Sequence, residues 1–130
     1  ERKRVFNTYT QAFENCNWAI VPPSIEGDKE SSYHIYALRI KDFTEEQRDR
    51  MIDEIAKSEV AVNVHFIPMP MLSFFNSLGY DIKDYPQAYE NFKGEISLPI
   101  YPQLDEEKLA FIIDTVKAAY RKVAGDKIVE

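Results

Sequence analysis

His65 is the side chain with the clearest chemical potential, because it stands where a strand-forming run stops. Val60, Val62 and Val64 alternate with Ala61, Asn63 and the histidine, the pattern of a short β-strand over residues 60–65. Pro68 and Pro70 then withhold backbone donors from any ladder or helix, so the imidazole is delivered at a boundary. Such a group can hydrogen-bond a ligand oxygen near neutral pH, or it can hold the corner together. On the residues alone both readings stay open. Residues 95–98 (EISL) read as a second short strand closed by Pro99, with Pro102 stiffening the approach to the last helix.

Other chemistry is scarce. Two histidines and one cysteine give no HExxH, no paired CxxC and no Ser-His-Asp order, and four scattered glycines build no phosphate-cradling loop. Neither a self-contained catalytic site nor a metal site is expected. His34 falls inside a strand pattern and is expected to be a satisfied histidine on the sheet or at an interface. Cys16 cannot form an intrachain disulfide, fits a reducing compartment, and is placed on the apolar side of the first helix with Phe6, Tyr9 and Phe13. A formal charge of −6 and a pI near 5.0 argue against nucleic acid as a partner, and Arg2-Lys3-Arg4 reads as a solvated helix face. No run is long enough for a membrane span and no apolar signal core is present, so a cytoplasmic protein without membrane contact is expected.

Three motifs in order carry a family resemblance: Ser32-Tyr33-His34-Ile35-Tyr36, Val64-His65-Phe66-Ile67-Pro68 and Ser97-Leu98-Pro99-Ile100-Tyr101-Pro102. In sequence and spacing the chain resembles the C-terminal portion of a DegT/StrS-type sugar aminotransferase, over nearly its whole length. The resemblance implies a pyridoxal phosphate enzyme acting on nucleotide-linked keto-sugars in polysaccharide or related biosynthesis. It also implies that the Schiff-base lysine and phosphate cup lie in a large domain upstream, so that this chain by itself is not catalytic and holds no cofactor. His65, Phe66 and Tyr101 would then be substrate-binding residues at the mouth of the cleft, although buried aromatics more commonly serve a core. The intact enzyme would be a homodimer. Two departures stand out: Pro70 replaces a second histidine that many members carry after the loop proline, and Tyr89 stands where they carry an acid. A sugar dehydratase using the same cofactor, and a non-catalytic α+β binding module, are the alternatives.

The elements that must position these residues read as a single small domain over residues 1–130, with residues 1–16 as an interdomain-type helix and 17–130 as an α+β body. The chain opens directly in helix without an initiator Met, which reads as a piece of a longer polypeptide. With 45% hydrophobic residues, including 8 Phe, 8 Tyr and 1 Trp, it can build a core. Strands are expected at 18–21 and 32–40, a polar loop at 25–31, and a helix at 45–58 opened by the capping box Thr44-Glu45-Glu46-Gln47. Met51, Ile52, Ile55 and Ala56 form its apolar stripe. Short helices follow at 70–78 and 86–92, ended at Gly79 and Gly94. The last helix, 106–124, has Asp105 as N-cap, Gly125 beyond its end, and Leu109, Ile112, Ile113, Val116, Tyr120 and Val123 on one stripe. The fold class is α+β: a mainly antiparallel sheet of three to four strands with helices on one face. The cluster Met69, Met71, Phe74 and Phe75 is expected to be an exposed apolar patch if its covering domain is missing.

Overall fold

A computed structural model describes residues 1–125. In chain order the elements are α1 (Arg2–Phe13), β1 (Ala19–Ile20), β2 (Ile25–Glu26), β3 (Lys29–Glu30), β4 (Tyr36–Ile40) and α2 (Glu45–Ala56). A 3-10 turn (Met69–Met71), α3 (Ser73–Ser77), a second 3-10 turn (Ile82–Asp84), α4 (Pro86–Lys93), β5 (Glu95–Leu98) and α5 (Glu106–Gly125) follow. β4 is the central strand of an antiparallel sheet of order β1-β4-β5, and β2 and β3 pair separately as a small hairpin.

Strand alternation divides the sheet into two chemically different faces. Tyr36, Leu38 and Ile40 of β4 point the same way as Ile96 and Leu98 of β5, and all five are buried. Against this face pack Val5, Phe6, Tyr9 and Phe13 of α1, Met51 and Ile55 of α2, and Leu109, Ile112, Val116, Ala119 and Val123 of α5. Each fully buried aliphatic or aromatic side chain contributes about 1.5–3 kcal/mol, so this layer is the main source of stability. Edge-to-face contact between Phe6 and Tyr36, 4.8 Å between ring centres, joins α1 to the sheet. Stacking of Trp18 on Tyr120 at 4.1 Å joins the β1 end to α5. The opposite face carries Ala37 and Arg39 of β4 beside Ser97 and Glu95 of β5.

The helix signals act as the residues dictate. The Thr44 hydroxyl accepts from the Gln47 N–H at 3.2 Å and the Gln47 side chain accepts from the Thr44 N–H at 3.0 Å, closing the capping box. Asp105 accepts from the Lys108 N–H at 2.8 Å and starts α5. α4 and β5 begin and end close to the expected positions.

Several expectations need correction. The run 60–65 is not a regular strand: it makes one bridge, Asn63 to Ser97. Side chains capture two further donors, because the Val64 N–H bonds the Asn63 side-chain oxygen at 2.8 Å and the His65 N–H bonds a carboxylate. The strand expected from residue 32 begins at Tyr36, since Tyr33 adopts a positive φ of 55° with its N–H held by the Ser31 hydroxyl. His34 therefore lies outside the strand and is exposed, with Nδ1 3.5 Å from the Arg2 guanidinium. Residues 25–31 are not loop throughout, because Gly27, at φ 61°, permits the tight hairpin turn between β2 and β3. α1 stops at Phe13, three residues early, where the chain turns and the Cys16 N–H bonds the Phe13 carbonyl at 2.9 Å. Cys16 still packs against the core from beyond the helix. α2 ends at Ala56 rather than residue 58, and Ala56 is exposed. The helix expected at 70–78 is split between the first 3-10 turn and α3. α5 takes in Gly125, a residue that a helix tolerates at a cost of about 1 kcal/mol.

Candidate functional site

On the second face of the sheet, β5 places Glu95 and Ser97 two residues apart, so their side chains project side by side. The segment carrying His65 runs along the free edge of β5, pinned by the reciprocal Asn63 and Ser97 backbone bonds at 3.2 and 2.7 Å. His65 is thereby drawn into a compact polar unit. Its Nδ1 lies 2.8 Å from the Ser97 hydroxyl oxygen, and its backbone N–H donates to one Glu95 carboxylate oxygen at 2.9 Å. The Ser97 hydroxyl donates to the other carboxylate oxygen. Glu95 is only 4% exposed, and this burial pushes its carboxyl above the ordinary range, opposed by the Ser97 hydroxyl and the His65 N–H. The peptide between His65 and Phe66 is cis.

Arg48 supports the unit from α2. It is 3% exposed, and its Nη1 donates to the Phe92 carbonyl at 2.8 Å and reaches the Glu95 carbonyl at 3.5 Å. Its guanidinium lies 4.8 Å from the centre of the Phe92 ring. Arg48 thus ties the end of α4 to the start of β5, where Glu95 enters the sheet.

Two open clefts meet at His65. One, of about 340 Å³, is bounded by His34, Ile35, residues 61–63, Ser97, Leu98, Pro99 and Ile100. The other, of about 460 Å³, is bounded by Pro22, Pro23, Arg39, Phe66, Pro68, Asn91 and Glu95. In the second, Arg39 donates to the Asn91 side-chain oxygen at 2.5 Å. Phe66 projects from the wall with 72% of its surface exposed. Tyr101 is 44% exposed and lies outside the lining of both clefts, one residue past Ile100. Neither aromatic belongs to the core. His65 and Phe66 are thus brought together at one opening, and Tyr101 stands beyond it.

Of the four residues expected to form an exposed apolar patch, Met69 and Phe74 are exposed, whereas Met71 and Phe75 are half-buried. Phe66, Ile67, Met69, Leu72, Phe74, Leu78, Tyr80 and Tyr85 are all exposed. Pro68, Met69, Pro70, Phe75, Tyr80, Tyr85 and Ala88 line an apolar groove of about 390 Å³. Among the described residues no cluster of metal-ligating side chains occurs. No helix of the described residues is long and apolar enough to cross a membrane.

With this geometry in place, comparison with known proteins is informative. The family model of the DegT/DnrJ/EryC1/StrS aminotransferases matches residues 1–117. The chain belongs to this family. Among solved structures it is similar to Spr1654 of Streptococcus pneumoniae, assigned as a sugar aminotransferase. In its apo form that protein is 34% identical, with a TM-score of 0.91 over 97% of this chain and 31% of the other. Among curated proteins, the chain is 31% identical to MJ1066 of Methanocaldococcus jannaschii over 89% of its length and 30% of the relative. It is 27% identical to a UDP-4-amino-4,6-dideoxy-N-acetyl-beta-L-altrosamine transaminase of Campylobacter jejuni, over 95% of its own length and 32% of that enzyme. The chain therefore spans about a third of the length of these DegT/DnrJ/EryC1/StrS relatives.

The family is pyridoxal phosphate-dependent, and Spr1654 has been solved in its PLP form. Pyridoxal phosphate chemistry starts from a lysine amine. No lysine lines either cleft at His65, and Lys57 and Lys122 are engaged with Glu54 in ion pairs on α2 and α5. Among the described residues, the lining of these two clefts offers no amine for the cofactor.

Sequence reasoning singled out His65, Phe66 and Tyr101 but missed the groups that hold His65. Glu95 and Ser97 were visible only as a polar pair at i and i+2 in a strand, and strand alternation already placed them on one face. Arg48 gave no signal, because an arginine three residues before an apolar stripe reads as solvated.

Proposed function

We propose that this chain is the small domain of an enzyme that transfers an amino group to a nucleotide-linked keto-sugar, with pyridoxal phosphate held by a large domain upstream. The observation that carries the reading is the His65-Ser97-Glu95 unit, a rigidly held imidazole at the junction of two clefts, flanked by an exposed Phe66. Family membership and the names of relatives support it: the Campylobacter jejuni protein is a transaminase named for a UDP-linked sugar, and SpsC of Bacillus subtilis serves spore coat polysaccharide biosynthesis.

In this reading the cofactor supplies the electron sink for amino transfer, and this chain supplies walls and orientation. His65 hydrogen-bonds the sugar portion of the substrate. Phe66 and Tyr101 present flat apolar faces to the sugar or the nucleoside and exclude water. The exposed apolar side chains between Phe66 and Tyr85 meet the large domain. The intact enzyme is a cytoplasmic homodimer.

Production of the chain together with the polypeptide encoded ahead of it tests the proposal. A yellow complex that transaminates a UDP-linked keto-sugar is expected, and His65→Ala should lower kcat/KM about tenfold, the worth of one hydrogen bond to substrate, with the cofactor absorbance retained. A colourless, inert product would refute the reading. Loss of water from the sugar without amination would place the enzyme among the dehydratases.

A further inference from the structure

With Glu95 ionised, the hydrogen-bond inventory of the Glu95-Ser97-His65 unit has one consistent solution. An ionised carboxylate accepts and cannot donate. One Glu95 oxygen is taken by the His65 backbone N–H, at 2.9 Å, and the other contacts the Ser97 hydroxyl. The single Ser97 proton must therefore point at Glu95. The Ser97 oxygen then has only lone pairs to offer the His65 Nδ1 at 2.8 Å, so this nitrogen must carry a proton. In a neutral imidazole the remaining nitrogen, Nε2, is then a bare acceptor. Among the described residues Nε2 has no hydrogen-bond partner, and no buried side-chain nitrogen or oxygen is left unpaired, so Nε2 is open to solvent where the two clefts meet.

We propose that Ser97 and Glu95 are positioning residues that lock His65 as the Nδ1–H tautomer and present its Nε2 lone pair to the cleft. The group recognised there is consequently a hydrogen-bond donor, such as a sugar hydroxyl, and not a phosphate oxygen. That the donor is a sugar hydroxyl rests on the sugar-aminotransferase reading, whereas the tautomer is a property of this chain alone. The experiment reads the tautomer, so the two ideas fail separately.

The unit also predicts an inversion. If Glu95 is replaced by glutamine, the His65 N–H still requires an acceptor, so the amide oxygen faces it and the amide NH2 faces Ser97. Ser97 must then accept from the amide and turn its own proton toward Nδ1, which leaves Nε2 protonated. Serine and carboxamide together reverse the polarity of the chain without removing any member.

The test is long-range proton–nitrogen NMR of the 15N-labelled 130-residue chain at pH about 8.5, where imidazoles in general are neutral. With only His34 and His65 present, assignment by His34→Gln is direct. His65 should show a protonated Nδ1 and an unprotonated Nε2, while exposed His34 should show the Nε2–H-rich mixture of a free imidazole. Ser97→Ala should return His65 to that mixture, Ser97→Thr should restore the Nδ1–H pattern, and Glu95→Gln should give Nε2–H. A wild-type His65 with the Nε2–H pattern overturns the proposal, as does a Ser97→Ala protein in which the Nδ1–H pattern persists. Should a variant not fold, the wild-type spectrum alone decides.

Discussion

Replacing Arg48 with methionine should destabilise the chain by about 2 kcal/mol. Methionine preserves most of the aliphatic stem and its contact with the Phe92 ring, so the change isolates the guanidinium. The bond lost is that from Nη1 to the Phe92 carbonyl at 2.8 Å, a charge-assisted bond of about 1.5–3 kcal/mol, and the cation–π contact at 4.8 Å adds up to about 2 kcal/mol when desolvated. Three features reduce the total. The Phe92 carbonyl keeps a second donor, the Gly94 N–H. The Asp49 partner, at 2.6 Å, is 65% exposed and is worth little in water. Removing a buried charge also relieves its desolvation cost. For a domain of this size about 2 kcal/mol corresponds to a melting temperature lower by roughly 8 °C. Urea unfolding followed by circular dichroism would measure it, with an unchanged m-value confirming that the denatured state is not involved. An Arg48→Met protein as stable as the original, within about 0.5 kcal/mol, would refute the idea that the guanidinium tie between α4 and β5 stabilises the fold.

Two further changes are expected. Gly94→Ala would put a methyl carbon 2.5 Å from the Ile40 carbonyl oxygen, a main-chain atom of the central strand that cannot step aside, and should cost about 1–3 kcal/mol in the same urea assay. At alkaline pH the core tyrosines should set the stability limit. Burial pushes Tyr36 up to about 12, against an opposing Thr10 hydroxyl, and burial raises Tyr9 further, aided by Tyr101 and Tyr36. An unfolded tyrosine ionises near about 10, so above that pH the unfolded chain releases protons that the folded chain retains. Stability is therefore full below pH about 10 and should fall between about 10 and 12. Melting temperatures that stay level across this window, or tyrosinate absorbance rising uniformly near 10 in the folded chain, would contradict the burial.

The sequence by itself determined the elements whose signals are local. The capping box at Thr44, the Asp105 cap and the long apolar stripe of α5, and the proline and glycine that bound α4 each act within a turn or two of chain, so neighbouring residue types suffice. The EISL strand and the alternation in β4 were legible for the same reason, and three ordered motifs carried the family. Only the tertiary structure decided what the 60–65 run would become. Its valines favour extension, yet two of its donors are taken by the Asn63 amide and by Glu95, a residue thirty positions away that no local pattern can bring into play. The burial of Arg48 and Glu95 was hidden likewise, since a charged side chain reads as exposed until a fold surrounds it with partners. His65 marks the division: residue types placed it at the end of an extended run, while the orientation of its ring is set by hydrogen bonds across a sheet, which exist only once the strands have assembled.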